Sequence, residues 1–130
     1  MLDVERAFRE WVLAAPGVTA LTDARVYAGR DVPPVGYALT DGACIALKTR
    51  GGAIGYDGAI YTASFQVKCY AETEVEAMAL YRALYDALDC ATGRAVLHAE
   101  LEGPGTPLEE PETEWPFVLS YWSVMLREVW

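Results

Sequence analysis

Residues 60–88, IYTASFQVKCYAETEVEAMALYRALYDAL, decide the fold. The first part alternates with the two-residue period of a strand. Tyr61, Ala63, Phe65, Val67 and Cys69 fall on one side, and Thr62, Ser64, Gln66 and Lys68 on the other. Within a few residues the period changes. Val75, Met78, Ala79, Leu80, Ala83, Leu84, Ala87 and Leu88 recur at three- and four-residue steps, which predicts a helix with a broad apolar face. Thr73 and Glu76 have the spacing of a capping box at its start, and Gly93 suits its end. A half-buried strand running straight into an amphipathic helix points to helices packed on one face of a sheet.

Upstream, residues 43–50 (ACIALKTR) read as a second strand, joined to the first by the glycine-rich tip GGAIGYDG at 51–58. Before it lies a long loop, residues 28–42, with Gly29, Pro33, Pro34, Gly36 and Gly42. Loops of that length inside a compact domain are usually functional or mobile. Residues 25–27 read as a brief strand. The chain opens with a helix from about Asp3 to Ala15, with Asp3 as N-cap, Val4, Ala7, Phe8, Trp11, Val12 and Ala15 in register, and Pro16-Gly17 as its stop. Downstream, residues 95–102 alternate, with Ala95, Leu97, Ala99 and Leu101 inward and His98, Glu100 and Glu102 outward. An acidic, proline-broken loop then leads to a long last strand, residues 115–128.

That last strand is apolar on both sides. Phe117, Leu119, Tyr121 and Met125 share one face, while Val118, Trp122, Val124 and Leu126 share the other. A two-layer domain leaves one sheet face to water, so only one set should be apolar. The economical cover for the second set is a neighbouring subunit. The element order α-β-β-β-α-β-β therefore predicts one α+β domain over residues 1–130, with two helices on one face of a mainly antiparallel sheet.

Composition agrees with a folded domain of this size. Half the residues are apolar, with four Trp, eight Tyr and three Phe among 130. No stretch approaches the roughly 20 apolar residues of a membrane span, and the charged start (Asp3, Glu5, Arg6) lacks the apolar core of a signal peptide. Cys44, Cys69 and Cys90 are odd in number, have no CxxC spacing, and read as small core residues of a cytoplasmic product. The net charge of −9 opposes tight wrapping of DNA and suits an acidic wall past which DNA slides.

Motifs for chemistry are sparse. The glycine-rich tip lacks the GK[ST] ending of a P-loop and the strand-to-helix setting of a dinucleotide site, so no cofactor is expected. His98, Glu100 and Glu102 project from one strand face. They lie about 7 Å apart at successive outward positions, too far to converge on one metal unaided, so a solvated face is the expected role. Cys69 and His98 should point to opposite faces, which removes a nucleophile–base pair. Ser64, Ser120 and Ser123 lack a GxSxG context. With a single histidine, neither a catalytic nor a metal site is expected.

The chain resembles the phage tail-completion proteins, the group that includes tail terminators and tail-to-head joining proteins. The residues that carry the resemblance are the opening MLDVERAFREWVLAAPGVTALTDARVYAGR, Pro33-Pro34, the stretch FQVKCYAETEVEAMALYRALYDAL, Glu110-Pro111-Glu112-Thr113 and the closing aromatic strand. They cover nearly the whole chain in order. The resemblance implies a structural subunit, usually of a hexameric ring, that caps the tail tube and docks the connector under the head. Its implied partners are its own copies, the tail tube protein and the head–tail connector or stopper, with DNA passing through without specific binding. Its implied place is the tail–head junction of a virion assembled in a bacterial cytoplasm. The same family serves gene transfer agents as well as true phages. A head-side stopper, a small metal-dependent enzyme built on His98, Glu100 and the acidic loop, and a dimeric binding module are the alternatives.

Position and composition select candidate contact residues. Ile54, Tyr56 and Asp57 stand at the hairpin tip, Pro33 and Pro34 in the long loop, and Trp122, Val124, Leu126 and Trp130 on the last strand. Glu109, Glu110, Glu112 and Glu114 are candidates to line or rim a channel, where like charge keeps DNA from sticking.

Overall fold

The computed structural model describes residues 3–29, 36–54, 60–89, 96–111 and 113–127, and over 51–54 the backbone alone. The elements run α1 (Val4–Leu13), α2 (Pro16–Thr22), β1 (Val26–Ala28), a short 3-10 turn (Leu39–Asp41), β2 (Cys44–Ile54), β3 (Ile60–Tyr70), α3 (Glu74–Leu88), β4 (Val96–Leu101), β5 (Thr106–Glu109) and β6 (Pro116–Arg127). The fold is α+β, as the periodicities predict.

The hairpin and helix at the centre of the sequence form, with β2 running past residue 50 into the stretch read as the tip. β2 and β3 pair antiparallel from Cys44↔Tyr70 to Ile54↔Tyr61. On β3, Ala63, Phe65, Val67 and Cys69 are buried and the alternate residues face outward. The Asp3 carboxylate accepts the Arg6 N–H at 3.1 Å and the Thr73 hydroxyl accepts the Glu76 N–H at 3.2 Å, so both predicted N-caps are made. These bonds satisfy donors that the first turn of a helix cannot pair internally.

Two short elements are additional to the expected order. Pro16 ends α1 and also occupies the first turn of α2, where its missing N–H costs nothing and its fixed φ favours the helix. Thr106–Glu109, expected as loop, is an edge strand, a position that tolerates Pro107.

The strand order is β1-β2-β3-β6-β4, with β5 beside β4 along the same side of β6. β5 faces residues 116–119 of β6 and β4 faces 122–126. All pairs are antiparallel except β1–β2. A register shift between Val96 and His98 makes Leu97 a bulge residue. Val96 and Ala99 are therefore the buried members of β4, and Leu97 is not. The main core lies between the inner sheet face and the helices. Phe8 of α1 packs on Phe65 of β3 with ring centroids 4.4 Å apart, and Leu80, Tyr81, Leu84 and Leu88 of α3 complete it.

The last strand requires a correction. Trp122, Val124 and Leu126 are fully buried in this core. They are covered by the chain's own helices and present nothing to a neighbour. Part of the opposite set is also covered from within. The segment carrying the 3-10 turn lies on the outer face, where Leu39, Cys44, Ala46, Tyr70 and Phe117 form a second buried cluster flanked by Tyr27, Tyr37, Trp115 and Leu119. A loop of the same chain thus takes much of the role assigned to a second subunit.

Candidate assembly surface

The outer face of the sheet divides into three zones. The first is the aromatic cap. Tyr37 lies edge-on to Trp115 at 5.6 Å and Trp115 edge-on to Tyr70 at 6.2 Å, while Tyr70 tilts against Phe117 at 5.2 Å. Offset and edge-on pairs suit the aromatic quadrupoles. The Tyr37 hydroxyl donates to the Gly42 carbonyl and so ties the loop to itself. Glu110 fastens the other side, its Oε1 accepting from the Tyr70 hydroxyl at 2.5 Å and from Lys68 Nζ at 3.2 Å. The Lys68 ammonium also stands 5.0 Å from the Phe117 ring centre.

These contacts set the local electrostatics. Burial pushes the Glu110 carboxyl up, but the hydrogen bonds from Tyr70 and Lys68 and the Lys68 charge outweigh it and hold the group below the ordinary carboxylate range. The Tyr70 phenol is raised by burial and by its bond to Glu110. Cys44 is raised to about 11, chiefly by burial, against the opposing influence of Tyr37 and Arg25. Cys69 is raised further by complete burial. Both thiols are free, buried and held away from the reactive thiolate.

The second zone is a polar strip across the open half of the face. The Arg50 guanidinium lies over the Tyr121 ring at 4.1 Å and reaches Glu102 at 3.5 Å. The Ser64 hydroxyl donates to the other Glu102 oxygen at 3.0 Å. Three strands are thereby laced together across the face, and Tyr121 is roofed by a cation of the same chain. Alternation shows that these residues face outward, yet gives no hint that Arg50 and Glu102 meet, because their meeting depends on strand order. The third zone lies where β6 ends. Met125 is 41% exposed, with Thr62 and His98 opposite it on the two neighbouring strands. Ile60 is 38% exposed.

The remaining candidate residues fall in different places. His98 and Glu100 are 3.9 Å apart, Glu102 is taken by Arg50 and Ser64, and no group of three or more metal-ligating side chains occurs among the described residues. Cys69 points into the core and His98 away from it, as expected from their alternation. Of the acidic candidates, Glu109 on β5 and Glu114 are exposed, while Glu110 is turned onto the sheet. Glu112, Pro33, Pro34, Tyr56, Asp57 and Trp130 lie outside the described residues, as does the side chain of Ile54. Among the described residues no helix is long and apolar enough to cross a membrane.

No protein-family model and no curated protein matches the chain. Among solved structures, a chain in the virion of a native gene transfer agent (GTA) particle has this fold. The TM-score is 0.63 at 16% identity, over 92% of this chain and 90% of that one.

Proposed function

We propose that this chain is a structural subunit of a tailed-phage-like particle, and within it a tail terminator. Copies form a ring, a hexamer on the family resemblance, that caps the tail tube at the head-proximal end and docks the connector or stopper. The ring sits at the tail–head junction, DNA passes through without specific binding, and the subunit is not a catalyst. The observation that carries this reading is the fold shared, over nine-tenths of both chains, with a chain of the gene transfer agent virion. The sequence resemblance to tail-completion proteins, from the opening helix to the closing strand, narrows it to the terminator. The burial of the Cys44 and Cys69 thiols and the engagement of Glu102 by Arg50 and Ser64 are in keeping with a structural role.

Deleting the gene from its particle tests the assignment. A terminator's loss leaves tails of uncontrolled length on electron-microscope grids, and the wild-type chain supplied in trans restores a uniform length. Finished tails beside leaking heads would move the chain to the head-side stopper. Normal particles would remove it from the neck.

A further inference from the structure

We infer that residues 37–41 form a lid on the outer face of the sheet, one that opens as a unit while the rest of the subunit stays folded. The segment is bracketed by two glycines in the left-handed region, Gly36 at φ 94° and Gly42 at φ 122°. Glycine takes such angles at little cost, which suits a hinge at either end. Between the hinges the backbone bonds close on themselves. The Asp41 N–H donates to the Ala38 carbonyl at 2.9 Å, the Gly42 N–H to the Leu39 carbonyl at 3.0 Å, and the Asp41 carboxylate accepts the Ala38 N–H at 3.1 Å. None of these bonds is lost when the segment moves as one piece. From Ala43 onward the chain is pinned, since Arg25 Nε donates to the Ala43 carbonyl at 2.9 Å and the Ile45 N–H to the Arg25 carbonyl at 3.0 Å.

What holds the lid down is side-chain packing. Leu39 is its one buried residue, and Tyr37 is half-buried between Tyr27 and Trp115. The Tyr37 hydroxyl, bonded to the Gly42 carbonyl, lies beside the Cys44 thiol. Thr40 and Asp41 face solvent. The cluster beneath, Cys44, Ala46, Tyr70 and Phe117, lies on the opposite face of the sheet from the main core and shares no member with it. Burying one leucine and part of a tyrosine stabilises the closed lid far less than the main core stabilises the fold, so the lid opens at a lower free energy than the subunit unfolds.

Lifting the lid changes what the outer face offers. Cys44, Tyr70, Phe117 and Leu108 stand level on four neighbouring strands, β2, β3, β6 and β5. The first three belong to the cluster that Leu39 closes, while Leu108, beyond it, is 43% exposed. With the lid shut, this half of the face shows aromatic edges and polar groups. With the lid raised, an apolar row crosses four strands. The lid therefore shields the free subunit from indiscriminate apolar contact. The two thiols report its state. Cys44 lies under the lid and Cys69 in the main core, so lid opening bares the first and leaves the second covered.

Native-state thiol labelling tests it. Wild-type protein is exposed to N-ethylmaleimide in steps of urea below the unfolding transition, and peptide masses give the rates at Cys44 and Cys69 separately. Without urea, Cys44 should react about a hundredfold faster than Cys69 or more. Its rate should barely change with urea, because a local opening exposes little surface. Cys69 should accelerate steeply, since only unfolding of the core reaches it. Two variants separate the steps. Leu39→Ala should speed Cys44 about thirtyfold, from the loss of one buried leucine side chain. Thr73→Ala, which loosens α3 on the other face, should speed Cys69 about fivefold and leave Cys44 unchanged. Equal rates and equal urea slopes at the two thiols, or a Thr73→Ala that speeds both alike, would make the segment part of the core and overturn the lid. So would a Cys44 that reacts at the rate of an exposed thiol, since no closed state would then exist. The terminator reading rests on other observations and stands or falls apart from these rates.

Discussion

Glu110 should act as a pH-dependent clamp on the outer face, and replacing it with Gln isolates that role. The carboxylate takes a hydrogen bond from the Tyr70 hydroxyl and an ion pair from Lys68, and both side chains of that pair are 28% exposed. A hydrogen bond to a charged acceptor contributes about 1.5–3 kcal/mol when its loss leaves the partner unpaired. Glutamine still offers a neutral oxygen to Tyr70, and a partly solvated ion pair contributes roughly 0–1 kcal/mol, so Glu110→Gln should cost about 1 kcal/mol at pH 7. The sign of the pH dependence follows from the lowered carboxyl pKa. A group more acidic in the folded state stabilises fully above its unfolded value, near 4.3 for glutamate, and loses that contribution as pH falls through the folded value. Urea denaturation of wild type and variant at steps from pH 7 to pH 3 should show a gap that narrows on the acid side. A gap of constant size, or none at neutral pH, would refute the clamp and make Glu110 one more solvated acid of its loop.

Three further substitutions probe the positions on which the fold depends. Trp122→Ala should destabilise the isolated subunit by about 3–5 kcal/mol, since the side chain is fully buried with its Nε1 donating to Ser120 Oγ at 3.2 Å; a stable monomer that only fails to assemble would contradict the core placement. Gly105→Ala should cost about 1–3 kcal/mol in a chemical melt, because a Cβ there meets Tyr81 Cζ at 2.7 Å and Val118 Cγ1 at 2.8 Å where the Gly105 N–H already bonds to the Tyr81 hydroxyl. Thr73→Ala should cost about 1 kcal/mol by removing the cap on Glu76, and Thr73→Ser should recover most of it.

Much of the fold is legible because two periods dominate it. The alternation of β3 and the helical spacing of α3 identify a buried face wherever one exists, and Phe65, Val67, Leu80 and Leu84 are all found there. Proline is where local reading falls short. Pro16 was a stop signal with two meanings, and Pro107 looked like a loop residue because an edge strand and a loop make the same demand on the backbone, that the N–H be dispensable. The candidate site was less legible. β2 runs on through Ile54, which the sequence reading sets in the tip beyond the strand. Trp122, Val124 and Leu126, read as interface residues because one apolar face of β6 should need another molecule, are buried in the core.

The fault in that assumption lies in chain distance. Alternation divides the residues of β6 into two sets but cannot say what lies over either one, since the covering groups belong to other parts of the chain. Leu39 and Tyr37 reach Phe117 and Trp115 from almost eighty residues away, and Arg50 reaches Tyr121 from about seventy, because β6 adds to the hairpin and comes to lie between β3 and β4. That insertion also decides which edges remain open. Had β4 paired with β3, as chain order suggests, β6 would stand at the margin with its twelve residues unpaired on one side. With β6 central, the longest and most apolar strand is satisfied on both sides, and the margins of the sheet fall to the short strands β1, β4 and β5. A central β6 protects the subunit from indiscriminate strand addition, because the longest apolar strand offers no edge of its own to a passing chain.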